Sequence, residues 1–157
     1  MTLPQGWAWT TLGEIARINH RNPAIRDLDD ELPVTFVPMA AVDAESGTIA
    51  SPETRPLSKV RKGFTSFAES DVIFAKITPC MENGKAAIAR GLVNGLGFGS
   101  TEFHVLKPER GIISEWLFCF VRQFQFRQDA KASFAGTAGQ LRVPSSFLID
   151  YKTAWHT

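Results

Sequence analysis

The chain has 157 residues, of which 44% are hydrophobic and 21% charged, and its formal net charge is +1. This length fits one domain that can bury a core, and the composition is that of an ordinary globular protein. No apolar stretch is long enough to span a bilayer, and the N-terminus lacks the regions of a secretory signal. Cys80 and Cys119 form no CxxC pair, which is typical of a reduced cytoplasmic protein. We therefore expect a cytoplasmic domain with no membrane partner.

Charge is distributed unevenly along the chain. Seven acidic residues and no Lys or Arg lie between 27 and 53. Seven basic against three acidic residues lie between 55 and 90, and four against one between 120 and 142. If the last two segments meet in the fold, they form a positive face opposite an acidic one. The same clustering fits ordinary solvated surface charge, and a net charge of +1 is low for a strong non-specific DNA binder. Charge alone leaves both interpretations open.

The N-terminal segment predicts a short helix. Thr11 followed by Glu14 has the spacing of a capping box, so the helix is predicted to begin near Thr11. We expect Trp7 and Trp9 to anchor this segment to the core.

The first strand-like stretch is PVTFVPMAAV (33–42). Proline cannot donate to a ladder, so Pro38 predicts an edge strand or a bulge. Residues 43–62, punctuated by Gly and Pro, are predicted to be loop.

The strongest strand pattern is DVIFAKIT (71–78), which leaves the core for the surface at its end. Its alternation predicts one face of Ile73, Ala75 and Ile77 and another of Val72, Phe74, Lys76 and Thr78. Asn83-Gly84 predicts a two-residue hairpin with KAAIAR (85–90) as the return strand. Asn94-Gly95 predicts a further turn, followed by the alternating stretch STEFHVLKP (100–108).

The last third changes to a helical pattern over residues 113–134. Its predicted apolar stripe consists of Ile113, Trp116, Leu117, Phe120 and Phe124. A strand-rich middle with a helical C-terminal third predicts an α+β fold.

The sequence contains no complete phosphate-binding motif and no convincing catalytic one. Gly84-Lys85 lacks the earlier glycine and the following hydroxyl of a phosphate loop, and the glycine-rich stretch 95–99 is followed by a strand rather than a helix. Cys80 with a distant histidine is weak evidence for a nucleophile. Glu102 and His104 point the same way from one strand, but two ligands predict a surface pair more often than a metal site.

A set of polar residues lies on the predicted turns and strand ends. It comprises Lys76, Thr78, Asn83 and Lys85, then Ser100, Thr101 and Glu102, and finally Thr137, Gln140 and Arg142. These residue types suit phosphates and base edges, and loops on a rigid scaffold are where such readers sit. Ordinary polar turn chemistry is the competing interpretation, and composition alone favours it.

Four sequence blocks occur in a fixed order over nearly the whole chain. They are GWAWTTLGEIA (6–16), FAKITPCMENGKAAIA (74–89), NGLGFGSTEFHVLKP (94–108) and AGTAGQLRVPSSFL (135–148). These blocks resemble the target recognition domain of type I restriction–modification specificity subunits. Four blocks in order are far more specific than any single motif above.

The resemblance implies an α+β fold with a strand-rich, curled β region and helices in the C-terminal third. It implies a non-catalytic specificity subunit that reads one half of a bipartite double-stranded DNA site. The implied protein partners are the adenine methyltransferase (M) subunits, the restriction (R) subunit and a second half-specificity chain. No cofactor is expected on this chain, and S-adenosylmethionine is expected on the methyltransferase partner.

The resemblance makes the Asn83-Gly84 hairpin a DNA-recognition hairpin. Lys76 and Lys85 are given phosphate or guanine contacts, Thr78 and Asn83 base-edge or sugar contacts, and Gly84 the turn that lets the tip approach DNA. The other implied DNA-binding residues are Ser100, Thr101, Glu102, Gln140 and Arg142. A block shared by domains that read different sites cannot encode the choice of bases. Discrimination is therefore expected in less recognisable segments such as 43–66.

The C-terminal end departs from the family pattern, which continues into a spacer helix and a second recognition domain. We expect one recognition domain over 1–150 and a tail YKTAWHT (151–157) outside the pattern, with the spacer helix and second domain absent. Truncation by frameshift or a misjoined sequence is the favoured explanation, and an excised piece or a half-subunit that must pair with another chain stays open. A specificity domain of a fused restriction–methylation enzyme is a close variant. Two different classes of protein also stay open: a remnant or protein-interaction decoy that does not bind DNA, and a cysteine hydrolase using Cys80.

Overall fold

Two four-stranded sheets and a group of C-terminal helices build the fold. The computed structural model describes residues 2–135 and 139–156, which form twelve strands and four α-helices. The strands are β1 (Trp7–Thr11), β2 (Ala16–Ile18), β3 (Pro33–Val37), β4 (Val42–Asp43), β5 (Thr48–Ile49), β6 (Glu53–Pro56), β7 (Thr65–Ala68), β8 (Val72–Ala75), β9 (Ala86–Ile88), β10 (Leu96–Gly99), β11 (Phe103–Pro108) and β12 (Lys152–His156). The helices are α1 (Leu12–Ile15), α2 (Ser114–Arg122), α3 (Phe124–Ala132) and α4 (Ser145–Asp150). The predicted α+β class, with helices in the C-terminal third, is confirmed.

The two sheets are joined by the turn between β10 and β11. The first sheet has the order β6-β3-β10-β7, in which only β3 and β10 run parallel. The second has the order β2-β11-β8-β9 and is antiparallel throughout. Because β10 ends at Gly99 and β11 begins at Phe103, residues 100–102 lead directly from one sheet to the other. This turn brings strand ends of both sheets to one side of the molecule.

Strand β8 separates two parts of the core. Ile73 packs in the cluster shared by the two sheets, which includes Phe67. Val72 and Phe74 pack on the opposite face against the helices, where Phe126 is buried. The predicted alternation is confirmed for Val72, Ile73 and Phe74, whereas the strand ends at Ala75 and does not include the predicted residues 76–78. A slip of one residue would exchange the two faces, so burial on both sides specifies the register.

Strand β3 lies inside its sheet, and the edge position predicted from Pro38 is wrong. It pairs with β6 on one side and with β10 on the other. Pro38 follows the last residue of the strand and precedes a 3₁₀ turn at Met39–Ala41, so its missing N–H breaks no ladder bond. The segment 43–62 is not all loop, because it contains β5 and β6. Strands of two to four residues are too short for alternation to reveal.

The helical segment 113–134 is two helices rather than the single one predicted. Gln123 has ψ 141°, which ends α2 and begins α3. Leu117 is fully buried, as the predicted stripe requires, whereas Ile113 and Phe124 are 61% and 68% exposed. Ile113 is the N-cap of α2 and Phe124 follows the break, so neither lies on the buried face. In the described residues, no helix is long and apolar enough to cross a membrane.

The N-terminal segment begins as a strand. Thr11 is the N-cap of α1, and the Glu14 carboxylate accepts from the Thr11 N–H at 3.4 Å and from the Thr10 hydroxyl at 2.5 Å, which confirms the predicted capping box. The expectation that Trp7 and Trp9 anchor the segment to the core is wrong, because they are 44% and 57% exposed. The antiparallel ladder with β12 holds β1 instead.

The tail 151–157 joins the fold through β12. Besides pairing with β1, this strand places Trp155 edge-to-face against Trp116 of α2, with ring centroids 5.9 Å apart. The domain limits 1–150 stay a prediction.

A glycine in β10 makes room for an aromatic ring between the sheets. A Cβ at Gly97 would lie 2.2 Å from the ring of Phe67. We predict that Gly97→Ala lowers the free energy of unfolding by about 1–3 kcal/mol, because the ring must move. Urea unfolding of Gly97→Ala, Phe67→Leu and the double variant measures this. The combined loss should be smaller than the sum of the single losses, and simple additivity would contradict the contact.

Candidate nucleic-acid interface

Three segments predicted to contact DNA meet at one place. The N–H of Lys76 donates to the carbonyl of Glu102 at 2.9 Å, and its carbonyl accepts from the N–H of Val143 at 2.8 Å. The N–H of Thr78 donates to the carbonyl of Leu141 at 3.1 Å. The chain that leaves β8 is therefore bonded on one side to the turn before β11 and on the other to the segment before α4. Residues far apart in sequence thus form one strand-end surface.

An ion pair links two of these segments. The Nη2 and Nε atoms of Arg142 donate to the two carboxylate oxygens of Glu102 at 2.8 and 2.9 Å. Hydrogen bonding from the guanidinium lowers the pKa of Glu102, and the carboxylate raises the pKa of Arg142. Both groups therefore stay charged, and the guanidinium plane is fixed by a bidentate pair. Both carboxylate oxygens of Glu102 accept from Arg142. A contact of either residue with a DNA base stays a prediction.

The polar side chains beside this pair differ in exposure. Lys76 and Thr78 are half-buried, and Gln140 is exposed. The Thr78 hydroxyl accepts from the N–H of Leu141 at 3.4 Å, which ties it to the neighbouring segment. Thr137, predicted in the same set of polar residues, lies outside the described residues.

The turn before β11 exposes one of its three predicted side chains. The Ser100 hydroxyl accepts from the N–H of Glu102 at 3.0 Å, which caps the turn. Thr101 at the middle of the turn is exposed. Ser100 and Glu102 thus shape the turn, and Thr101 is the side chain that it presents.

Residues 76–85 form the whole connection from β8 to β9, and the two-residue hairpin predicted at Asn83-Gly84 is wrong. The return strand is confirmed, since β9 pairs antiparallel with β8. The pairing ends where Ala75 donates its N–H to the carbonyl of Lys85 at 2.9 Å. Between these residues lie overlapping turns, in which N–H groups bond to carbonyls three to five residues earlier. Asn83-Gly84 is the last of these turns.

Two of the loop candidates are engaged within the protein. Gly84 is buried at φ +73°, and a Cβ there would lie 3.5 Å from the guanidinium of Arg127 in α3. The Nζ of Lys85 donates to the carbonyl of Met39 at 3.0 Å. Asn83 is exposed. The close approach of Gly84 to DNA predicted from a hairpin tip does not fit this burial, and the contacts predicted for Lys85 and Asn83 stay predictions.

His104 is buried, and it is not the surface partner of Glu102 that alternation predicts. It is 2% exposed, and its Nε2 lies 2.7 Å from the carbonyl of Val143. A carbonyl can only accept, so Nε2 carries the proton and Nδ1 accepts from the Asn19 amide at 3.0 Å. Burial lowers the pKa of His104 to about 4. The neutral ring fixes Val143, and with it the segment that carries Arg142, to β11.

Two residues that organise this surface carry no clear sequence signal. Asn19 has φ +54°, a conformation that asparagine tolerates, but nothing nearby predicts its contact with His104. Arg127 sits in a helical pattern like any surface arginine, yet it donates to the carbonyl of Glu82 at 2.6 Å and holds the loop. Such contacts depend on tertiary packing that a local pattern does not contain.

Several arginines of the two basic segments are engaged inside the protein. Arg61 pairs with Asp30 at 2.7 Å and also donates to the carbonyl of Ile25 at 2.9 Å. Arg122 donates to the carbonyl of Ala44 at 2.9 Å. The positive face predicted from these segments therefore has fewer outward-pointing guanidinium groups than the sequence count suggests.

The geometry removes His104 as the base that a cysteine hydrolase would need beside Cys80. Cys80 is half-buried, and both ring nitrogens of His104 are engaged by Asn19 and Val143. Within residues 2–135 and 139–156, no group of three or more His, Cys, Asp and Glu side chains is arranged to hold a metal ion.

Two relatives match almost the entire chain. It is 40% identical over 150 residues to the type I restriction enzyme EcoEI specificity subunit of Escherichia coli, covering 95% of this chain and 25% of that protein. It is 43% identical over 146 residues to the EcoAI specificity subunit of the same organism, covering 92% and 24%. The chain spans about a quarter of the length of these curated relatives. No family profile matches it.

Two solved structures share the fold. One chain comes from a study of complex assembly and conformational transition of the type I R-M system, and it superposes with a TM-score of 0.77. The HsdS subunit from Thermoanaerobacter tengcongensis superposes with a TM-score of 0.73. Each comparison covers 98% of this chain and 39% of the other at 23% identity, a level that shows the fold.

The fold is thus an α+β domain of the kind seen in these two solved structures. With 40–43% identity over more than nine tenths of its length, the chain belongs to the family of type I restriction enzyme specificity subunits. The resemblance found in the four sequence blocks is confirmed.

His104 predicts how stability depends on pH. Its pKa of about 4 in the fold lies below the ordinary 6.5, so between these values the unfolded chain binds a proton that the folded chain excludes. The free energy of unfolding should be highest above pH 6.5 and fall as the pH drops towards 4, by roughly 3 kcal/mol. Burial raises the pKa of Asp71, which acts in the opposite direction at the acid end.

Urea unfolding of the unsubstituted chain and of His104→Gln, at about pH 7 and about pH 4.5, isolates this contribution. His104→Gln should be less stable at neutral pH but lose less on acidification. Equal losses in both proteins would contradict the assignment.

Proposed function

We propose that the chain is a non-catalytic target recognition domain that binds double-stranded DNA and reads one half of a bipartite site. One observation carries the proposal: the identity of 40–43% to specificity subunits extends over 92–95% of the chain. Coverage of more than nine tenths of the chain means that the kinship concerns the domain as a whole rather than one motif.

The geometry of the strand-end surface supports this proposal. Lys76 supplies an ammonium group for a phosphate or a guanine, and Thr78, Asn83 and Gln140 supply hydrogen-bonding groups for base edges or sugars. The backbone of Lys76 and Thr78 is held by bonds to the turn before β11 and to the segment before α4, which gives these two side chains a rigid support. The net charge of +1 favours a few selective contacts over strong non-specific attraction.

We further propose that this reading serves a type I restriction–modification complex. The methyltransferase (M) and restriction (R) subunits are the protein partners, and a second half-specificity chain reads the other half of the site. S-adenosylmethionine is carried by the methyltransferase partner, with no cofactor on this chain. These roles belong to the whole complex, of which this chain represents one DNA-reading part.

Selection from a random duplex pool at low salt tests the DNA-reading role. The chain should enrich one short motif, because fixed side chains on a rigid support discriminate between bases. Binding without enrichment would reduce the role to attraction by the DNA backbone. No binding at low salt would contradict the proposal.

Lys76→Ala tests the surface itself. We expect about 5- to 20-fold weaker binding and, if Lys76 contacts a phosphate, a salt slope reduced by about one. Titrations at several salt concentrations measure both quantities. Arg90→Ala is the matched control. Arg90 follows the end of β9 that lies away from the loop 76–85, and its side chain forms an exposed ion pair with Glu115. If Lys76→Ala matches this control at every salt concentration, Lys76 has no role in DNA binding.

A further inference from the structure

A cation–aromatic stack lies on the face of the first sheet that points away from the second sheet. The guanidinium carbon of Arg55 lies 3.8 Å from the ring centroid of Phe36, and Phe64 meets the same ring edge-to-face at 4.9 Å. Phe36 is 6% exposed, whereas Phe64 is 37% exposed and the Arg55 side chain 36%. A buried ring thus supports a guanidinium and an aromatic ring that both reach the surface.

The strand register puts this stack beside the proposed DNA surface. Gly99 of β10 pairs with Thr65 of β7 in an antiparallel ladder. The next residues outward are therefore Ser100, in the turn that carries the predicted readers, and Phe64. On its other side β10 pairs with β3, which carries Phe36 near the same end. Phe36, Phe64 and the turn lie at neighbouring strand ends, and the guanidinium of Arg55, a residue that pairs with Val34, reaches this end over the Phe36 ring.

Arg55 is oriented before any ligand binds. Its Nη2 donates to the carboxylate of Glu53 at 3.1 Å, and its flat face lies on Phe36. These two contacts fix the plane of the guanidinium while part of the side chain stays exposed. A fixed guanidinium fork is the geometry that reads the O6 and N7 acceptors of guanine.

The loop before β7 exposes Phe64 and is held in place by an ion pair. Arg61 fixes the loop through Asp30 at 2.7 Å, while Lys62 is exposed. A Cβ at Gly63 would have no atom within 4 Å, so the loop tip has open space around it. An apolar ring at such a position suits a thymine methyl or the face of a base.

We propose that Arg55 and Phe64 are sequence-reading residues, Arg55 for a guanine edge and Phe64 for an apolar contact with the neighbouring base. The inference rests on the proposed function, which it deepens. Both residues lie outside the four blocks shared across the family. They can therefore differ between domains that read different sites while the framework stays the same.

The random duplex selection is repeated with Arg55→Lys and Phe64→Ala, followed by titration of the motif that the unsubstituted chain enriches. Arg55→Lys keeps the charge and loses the fork, and Phe64→Leu keeps an apolar side chain should Phe64→Ala not fold. Each variant should bind the motif about 10- to 100-fold more weakly and relax one base position, with binding to unrelated duplex unchanged. Arg90→Lys and Ile113→Ala, at exposed positions near the opposite strand ends, are the matched controls.

The possible results separate this inference from the proposed function. If the unsubstituted chain enriches a motif and both variants behave like their controls, the inference is overturned and the proposed function stands. An equal loss on all sequences would make the two residues backbone contacts and overturn their reading role. If the unsubstituted chain enriches nothing, the proposed function fails, and the inference fails with it.

Discussion

The backbone N–H and the backbone carbonyl of Lys76 are bonded to two different segments, and the geometry of the proposed DNA surface depends on these two hydrogen bonds. Its N–H meets the carbonyl of Glu102 and its carbonyl meets the N–H of Val143, just where β8 leaves the buried core. The second sheet, the turn from the first sheet and the segment before α4 are thereby joined by backbone alone. Side chains on these segments can change without altering the bonds between them. One framework can therefore carry different readers.

A buried polar chain makes the same junction more specific. The Asn19 amide oxygen accepts from the N–H of Val105 at 2.8 Å, so its NH₂ group must point to His104. A neutral imidazole satisfies this donor and the Val143 carbonyl at once, with one nitrogen accepting and the other donating. A protonated ring would have two donors and would oppose the Asn19 amide with one of them. Correct placement of the segment that carries Arg142 is thus coupled to one protonation state of a buried ring.

Local patterns predicted those features that depend on local physics. The alternation of β8 and the cap at Thr11 follow from burial and from helix-end hydrogen bonding, and the structure confirms both. Strand partners do not follow, because alternation reports which face is buried but not which strand lies alongside. Asn83-Gly84 signals a positive φ, which Gly84 adopts, yet the same signal serves a hairpin tip or the last turn of a longer loop. The hydrogen-bond partner of a guanidinium, such as that of Arg127, is a carbonyl of a distant segment, which a local pattern does not reveal.

The pairing of arginines within the protein is consistent with the proposed role of a weakly charged domain in reading DNA sequence. A guanidinium whose charge is balanced by a carboxylate contributes little to the attraction of phosphates, so we expect weak non-specific binding. The same pairing fixes the plane of the group, as in Arg142 on Glu102 and Arg55 on Phe36 and Glu53. A donor fixed in advance loses less freedom on binding and tolerates a wrong base less well. In the proposed function, low net charge and oriented guanidinium groups would act together: the first would limit binding to DNA in general, and the second would favour one sequence over the rest.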